Sequence, residues 1–414
     1  MAALQRFIAA SAMTNLADGV AVLAWAWIAS LLTREALLVA LVPVALRLPW
    51  FLLALPAGVV TDRVDRRRLI LAMDALRGLA FAGAAVAIWA ALPLAAAPAE
   101  GVSRPLLYAA LVGAAFVVGG AEVFRDNAAQ SMLPAMVPPE GLERANGRLW
   151  SVELVANAML GPALGAVLIG LWLPLAFGLN AAAYAVAVLL VTGLAGRFRP
   201  ARSGPRHWRA ELAEGVAFLR ASALLRTFAV TTGFWNLFHQ MIVIGAVLHA
   251  QENLRLSATA YGLTLAGGAA GGIAGSLLGE RIARSLGPAR TMQWMLAASG
   301  PCFAAMALAP DAVTLALCLA AMEFTGLVWN VVSVSTRQRL IPDALMGRVN
   351  SLYRLLAWGM MPLGLVLSGL LVTLAEAFIP RGVALTLPFW AAGAGAVLLT
   401  VVVWRAIRRG LAPQ

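Results

Sequence analysis

Among the ionisable side chains inside stretches that are otherwise mostly apolar, seven stand out: Asp18, Arg47, Glu122, Arg125, Asp126, Glu153 and Glu323. In hydrocarbon such a group costs at least about 2.5–3.5 kcal/mol, so it must face a cavity, find a partner or surrender its charge. The chemistry open to it is reversible protonation, in which a carboxyl that takes up a proton lets go of a guanidinium. Asp18 lies roughly 16 Å into the first apolar stretch at the rise of a helix, and Arg47 lies at a similar depth from the far end of the second. The two are expected to pair, as a static ion pair or as a switch. Glu122, Arg125 and Asp126 share one helical face by their spacing, as do Trp150, Glu153 and Asn157. If those faces meet, carboxylates outnumber arginines and at least one is expected to hold a proton; the alternative is a stabilising network. Glu323 has no arginine nearer in sequence than Arg337. It is expected to be unpaired and to bind a proton or a cationic molecule. Asp74 and Arg77, three apart, read as a local pair.

A second set of residues reads as cavity lining. Asn236, His239 and Gln240 form a polar face with Trp235, Phe234 and Phe238 around it, and Trp329 and Asn330 follow Glu323 and Phe324 on another helix. Trp150, Asn157, Gly161 and Pro162 lie along the fifth stretch. Apolar walls with a few polar groups suit a small amphipathic molecule, although any single aromatic there can equally pack in the core or face lipid. Cys302 and Cys318 stand apart from any CxxC or Cys/His spacing and read as packing residues. No metal site and no cofactor are expected.

The elements that must position these groups are about twelve apolar stretches, near 7–31, 37–60, 69–92, 105–128, 147–170, 174–195, 224–249, 258–279, 291–309, 312–334, 351–375 and 383–404. Each is roughly 20 residues, the length that crosses a hydrocarbon core of about 30 Å as a helix. With 62% hydrophobic and 12% charged residues, far below the quarter typical of soluble domains, a water-soluble reading fails. All 31 basic residues are arginines, and they crowd every second link, which places those links and both termini in the cytoplasm and requires an even number of spans. The basic excess is thus an orientation signal and does not point to nucleic acid. The first stretch reads as a retained span, since no small-residue cleavage site and polar mature region follow it.

An arginine-rich interruption separates a six-helix bundle at 1–195 from a second at 223–414, with a basic cytoplasmic loop at 196–222 between them. The halves echo each other at an offset of 204 residues: Pro138 with Pro342, Arg144 with Arg348, Asn146 with Asn350, Gly165 with Gly369. A parallel six-plus-six repeat implies a carrier with its substrate site between the halves. Gly267, Gly271, Gly275 and Gly279 form a smooth stripe, for static close packing or for sliding.

The link after the second stretch, GVVTDRVDRRR, carries Gly58, Asp62, Arg63, Arg66 and Arg67 in the spacing Gly, three residues, Asp-Arg, two residues, two basic residues. In this it resembles the link signature of the major facilitator superfamily, which usually has a glycine where this chain has Asp65. Gly161, Pro162 and Gly165 partly match the antiporter signature of that family. AEVFRDNAAQSMLP, ERANGRLWSVELVANAMLGPALG and RQRLIPDALMGRVNSLYRLLAWGMMPLG resemble the branch of enterobactin-type siderophore exporters and macrolide-efflux carriers. The resemblance spans essentially the whole chain. It implies an all-α fold of twelve transmembrane helices in two pseudo-symmetric bundles, a rocker-switch mechanism, and a gate formed by the Asp62 link at the cytoplasmic helix ends.

The expectation is therefore a multi-pass bacterial inner-membrane carrier, a monomer, that exports a small amphipathic molecule against inward protons, with the proton gradient as energy source. Uptake of a nutrient by proton symport is the alternative within transport. An integral-membrane enzyme acting on lipids lacks a DDxxD cluster or nucleophile-base pair here, direct ATP drive lacks a GxxxxGK[ST] loop, and a receptor lacks a large extramembrane domain.

Overall fold

The computed structural model describes residues 2–61, 63–138, 142–194, 196, 198 and 208–411; Asp62 and the side chain of Trp150 lie outside the described set. The described secondary structure is helical throughout. In chain order the helices are α1 (Ala2–Leu32), α2 (Ala36–Thr61), α3 (Arg66–Ala90), α4 (Pro105–Met132), α5 (Leu142–Glu153), α6 (Gly161–Leu171), α7 (Leu173–Thr192) and α8 (Trp208–Ala221). They continue with α9 (Ala223–Leu248), α10 (Ala258–Leu286), α11 (Pro288–Met306), α12 (Ala312–Leu340), α13 (Asp343–Trp358), α14 (Met361–Ala375), α15 (Arg381–Ala384) and α16 (Leu387–Gly410). Apolar segments adopt helices because lipid offers no partner for a backbone N–H or C=O, and a helix satisfies both internally.

Ten helical runs among the described residues are long and apolar enough to cross a membrane. α9 and α11 fall outside that ten: Asn236, His239 and Gln240 dilute the first, Arg290 and Gln293 the shorter second. Helix starts follow capping chemistry. Asp65, Ser222 and Asp311 accept the backbone N–H three residues on, at 3.0, 3.3 and 2.8 Å. Asp65 thus fills the family's glycine position as the N-cap of α3.

α5 and α6 are joined by a π-helical segment, Leu154–Leu160, that ends at Gly161-Pro162. Pro162 has no N–H to give and its ring crowds the carbonyl four residues back, so the ladder widens, and the Gly161 N–H reaches the Ala156 carbonyl. α8 lies inside the stretch expected to be a loop and uses Phe218 and Leu219 to pack on Ile341, Leu345 and Val349.

The chain forms two compact units, Met1–Arg202 with Leu256–Ala266, and Ser203–Arg255 with Gly267–Gln414. In the first, α2 packs on α4, α3 on α4 and α7, and α1 on α6 and α7. Its core holds Trp25, Phe81, Phe177 and Tyr184, with Trp25 edge-on to Phe177 at 5.0 Å and Phe81 stacked on Tyr184 at 5.7 Å. In the second, α9 packs on α14 and α16, and α11 on α12 and α16. Close seams occur in both: a Cβ at Gly119 would strike the Leu46 carbonyl, and one at Gly271 the Ala320 carbonyl. The glycine stripe of α10 therefore lies against α12, with Gly275 on Phe324 and Gly279 on Val331.

Candidate functional site

The first unit gathers its charges around two buried arginines. Arg77, with a side chain 1% exposed, reaches Asp18 on α1 and Glu122 on α4, the latter at 3.6 Å. Asp18 Oδ1 also accepts the Tyr184 hydroxyl at 2.6 Å, and the guanidinium lies 4.5 Å from the centre of the Tyr184 ring. Arg125 touches Asp126 at 3.2 Å, donates to Thr14 Oγ1 at 3.1 Å, and stands 3.6 Å from Asp74. Arg47 approaches Glu122 at 3.8 Å. Among the described residues, four carboxyl groups thus surround two buried guanidiniums and one more exposed one.

This arrangement corrects three expectations. Asp18 pairs with Arg77, not Arg47, because α3 packs between α4 and α7 and turns Arg77 toward α1. Asp74 and Arg77 are not a local pair: each faces a different neighbour, Arg125 and Asp18. Glu323 is not unpaired, since its Oε1 lies 3.1 Å from His239 Nε2 across α9 and α12. Tyr184 and Thr14 were invisible as site members in the sequence, although Tyr184 is one of only four tyrosines in the chain and sits in an apolar stretch. Glu153 is exposed at the end of α5, just before the π-helical segment.

In the second unit, Trp235 stacks on His239 at 5.2 Å and 24°, and its ring lies where a side chain on Gly326 would be. The His239–Glu323 pair is partly open, with side chains 23% and 29% exposed. The other expected lining residues have structural partners. Asn236 donates to the Ala357 carbonyl at 2.9 Å, near the break between α13 and α14. Trp329 is buried, donating to Thr232 at 3.4 Å, and Gln240 sits beside Gly364. Asn330 is exposed. In the first unit, Asn157 and Gly161 press their backbones on Gly19, and Pro162 is buried, so this stretch is a helix seam next to Asp18.

At the link, Asp62 is outside the described residues, but its arginines are clear. Arg66 donates to the Ser131 carbonyl at 2.8 Å, and Arg67 to the Val191 and Thr192 carbonyls, the former at 3.2 Å. They bind carbonyls at the C-terminal ends of α4 and α7, where the helix dipole favours a cation. Arg63 is exposed beside Asp65 and Arg68, and a Cβ on Gly58 would meet open space. Among the described residues no group of His, Cys, Asp and Glu could hold a metal ion.

Residues 7–365 match the family model of the Major Facilitator Superfamily. The chain is 28% identical to the Multidrug efflux pump Tap of Mycobacterium bovis over 94% of its length and 91% of that protein. It is 25% identical to the Enterobactin exporter EntS of Shigella boydii, over 72% of this chain and 67% of that one. Among solved structures, a bacterial homologue of the iron transporter ferroportin in its inward-facing state superposes with a TM-score of 0.73 at 17% identity, covering 99% of this chain and 98% of the other. The nucleoside transporter NupG also gives 0.73, at 12% identity, over 98% of this chain and 99% of the other. These two show the fold alone.

Proposed function

The chain belongs to the Major Facilitator Superfamily, and from that premise we propose that it exports a small amphipathic molecule, such as a drug, macrolide or siderophore, in exchange for inward protons. In this reading α9 and α11 also cross the bilayer, giving twelve spans with both termini in the cytoplasm of a bacterial cell, and the monomer works by rocker-switch alternating access in the inner membrane. The observation that carries the coupling is the shared hold of Asp18 and Glu122 on Arg77 in the core of the first unit. With carboxyl groups outnumbering the buried guanidiniums, a proton arriving on Asp18 frees Arg77 to Glu122 and weakens the joint between α1 and α3. A few kcal/mol of difference between two states suffices to shift such an equilibrium. Export as the direction draws on the two relatives named as an efflux pump and an exporter.

The test is substrate-driven proton flux in proteoliposomes with a panel of siderophores, macrolides and dyes, in the parent and in Asp18→Asn, Glu153→Gln and Glu323→Gln. Asp18→Asn should abolish coupled proton movement. Parental flux in that variant sinks the assignment, and substrate moving in the same direction as protons replaces export with uptake.

A further inference from the structure

Asp74 is a fully buried carboxyl group, 0% exposed, and neither of its oxygens has a hydrogen-bond partner among the described residues. The Nε–H of Arg125 is likewise without one, and it stands 3.6 Å from Asp74 Oδ1. An ionised carboxylate facing an idle guanidinium N–H closes to about 2.7–2.9 Å, since that contact is worth most where water is absent. Here the gap stays open. Arg125 instead spends its two NH groups on Asp126 and Thr14, and Asp126 is 33% exposed where Asp74 has no access to water. The charged groups around Asp74 are Arg125 and Asp126 from α4, Asp18 from α1 and Arg77 from its own helix. Arg77 is already held by Asp18 and Glu122. A buried carboxyl with no hydrogen bond and no committed cation avoids the cost of its charge by keeping a proton.

We propose that Asp74 carries a proton of its own, exchanged with Asp126 through a shift of Arg125, so that the first unit holds two proton sites and not one. In the arrangement seen, Arg125 donates to Asp126, and on the proposal Asp74 is the neutral acid. In the other, the O–H bond of Asp74 breaks, Asp126 gains the proton, and Arg125 swings its Nε–H onto the new Asp74 carboxylate. The charge of Arg125 is constant throughout, and the one proton is conserved until Asp126 passes it to water. This extends the proposed antiport and rests on it only for its use, because proton binding at Asp74 can be read without any transported molecule.

The experiment is infrared spectroscopy of the purified full-length protein at neutral pH in light and heavy water, comparing the parent with Asp74→Asn, Asp126→Asn and Asp18→Asn. The parent should show a protonated-carboxyl band that Asp74→Asn loses. Asp126→Asn should lose it too, because Arg125 is then left with Asp74 alone and holds it ionised. Should Asp74→Asn fail to fold, the Asp126→Asn comparison decides by itself, as its carboxyl is partly in water. An unchanged band in both overturns the proposal. Because Asp18→Asn retains the Asp74 band whether or not it still transports, a failed antiport assignment is distinguishable from a failed Asp74 site.

Discussion

In the first unit two arginines with almost no exposure are each shared between carboxyl groups on different helices, whereas in the second a single imidazole meets a single carboxyl with about a quarter of each side chain open. The first arrangement ties α1, α3, α4 and α7 into one electrostatic unit, through Asp18, Arg77, Glu122, Arg125 and Tyr184. The second joins only α9 and α12 and leans on the Trp235 indole. The difference teaches that, among the described residues, the chain keeps its buried arginines in the first unit, since Arg381, the arginine that Glu252 and Glu376 share in the second, is 30% exposed. A guanidinium cannot be neutralised, so a buried arginine must keep an anion. An imidazole can simply lose its proton, so the second site survives the loss of its partner.

Four outcomes would break or sharpen this contrast. The largest effect is expected for Arg77→Met, which strands Asp18 and Glu122 without their shared cation. Breaking a buried pair of this kind costs about 3–5 kcal/mol, read as a lowered denaturation midpoint in detergent together with loss of transport. If the midpoint stays at the parental value, the first unit is not held by its ion network. Next come the paired seam variants Gly119→Ala and Gly271→Ala, which drive a methyl into the Leu46 and Ala320 carbonyls. Each should cost about 1–3 kcal/mol by overpacking. Equal penalties would say that the two units differ in charge but share their packing, and a tolerated Gly271→Ala would favour a loose, sliding α10 surface.

His239→Phe should be milder, about 1 kcal/mol for a lost hydrogen bond, since the Glu323 side chain is 29% exposed and its partner carries no obligatory charge. A loss as large as that of Arg77→Met would erase the distinction between the two sites. The smallest effect belongs to Asp311, where the backbone N–H of Thr314 holds the carboxyl below the usual carboxylate range. A depressed value means that the cap stabilises the fold fully above the ordinary range and fades as pH falls through the depressed one. The gap in thermal midpoint between the parent and Asp311→Ala should therefore shrink on acidification; a gap that widens contradicts the capping role.

Much of the helical layout was legible in the residues. The run lengths located most of the helices. Of the seven ionisable residues singled out, Asp18, Arg47, Glu122, Arg125 and Asp126 meet in the first unit, joined there by Asp74 and Arg77, whereas Glu153 is exposed at the end of α5 and Glu323 lies in the second unit. Their partners did not follow. Asp74 and Arg77 are three apart on one helix, but Asp74 lies against Arg125 of α4 while Arg77 is drawn to Asp18 of α1 and Glu122 of α4. His239 and Glu323, 84 positions apart, gave no hint of each other. Arg66 and Arg67 looked like loop charges and serve as caps for the carbonyl ends of α4 and α7.

By itself the sequence determined that this chain lives in a membrane as a bundle of helices and that its few internal charges are expensive. Those facts depend on composition and on the length of each apolar run, which are local properties. Only the tertiary structure decided which acid holds which arginine, that Tyr184 and Thr14 join them, and that Asp74 is left without a hydrogen bond among the described residues. Pairing in a low-dielectric interior falls off with ångströms between side chains on different helices, and those distances are set by how glycine seams and aromatic cores bring the helices together.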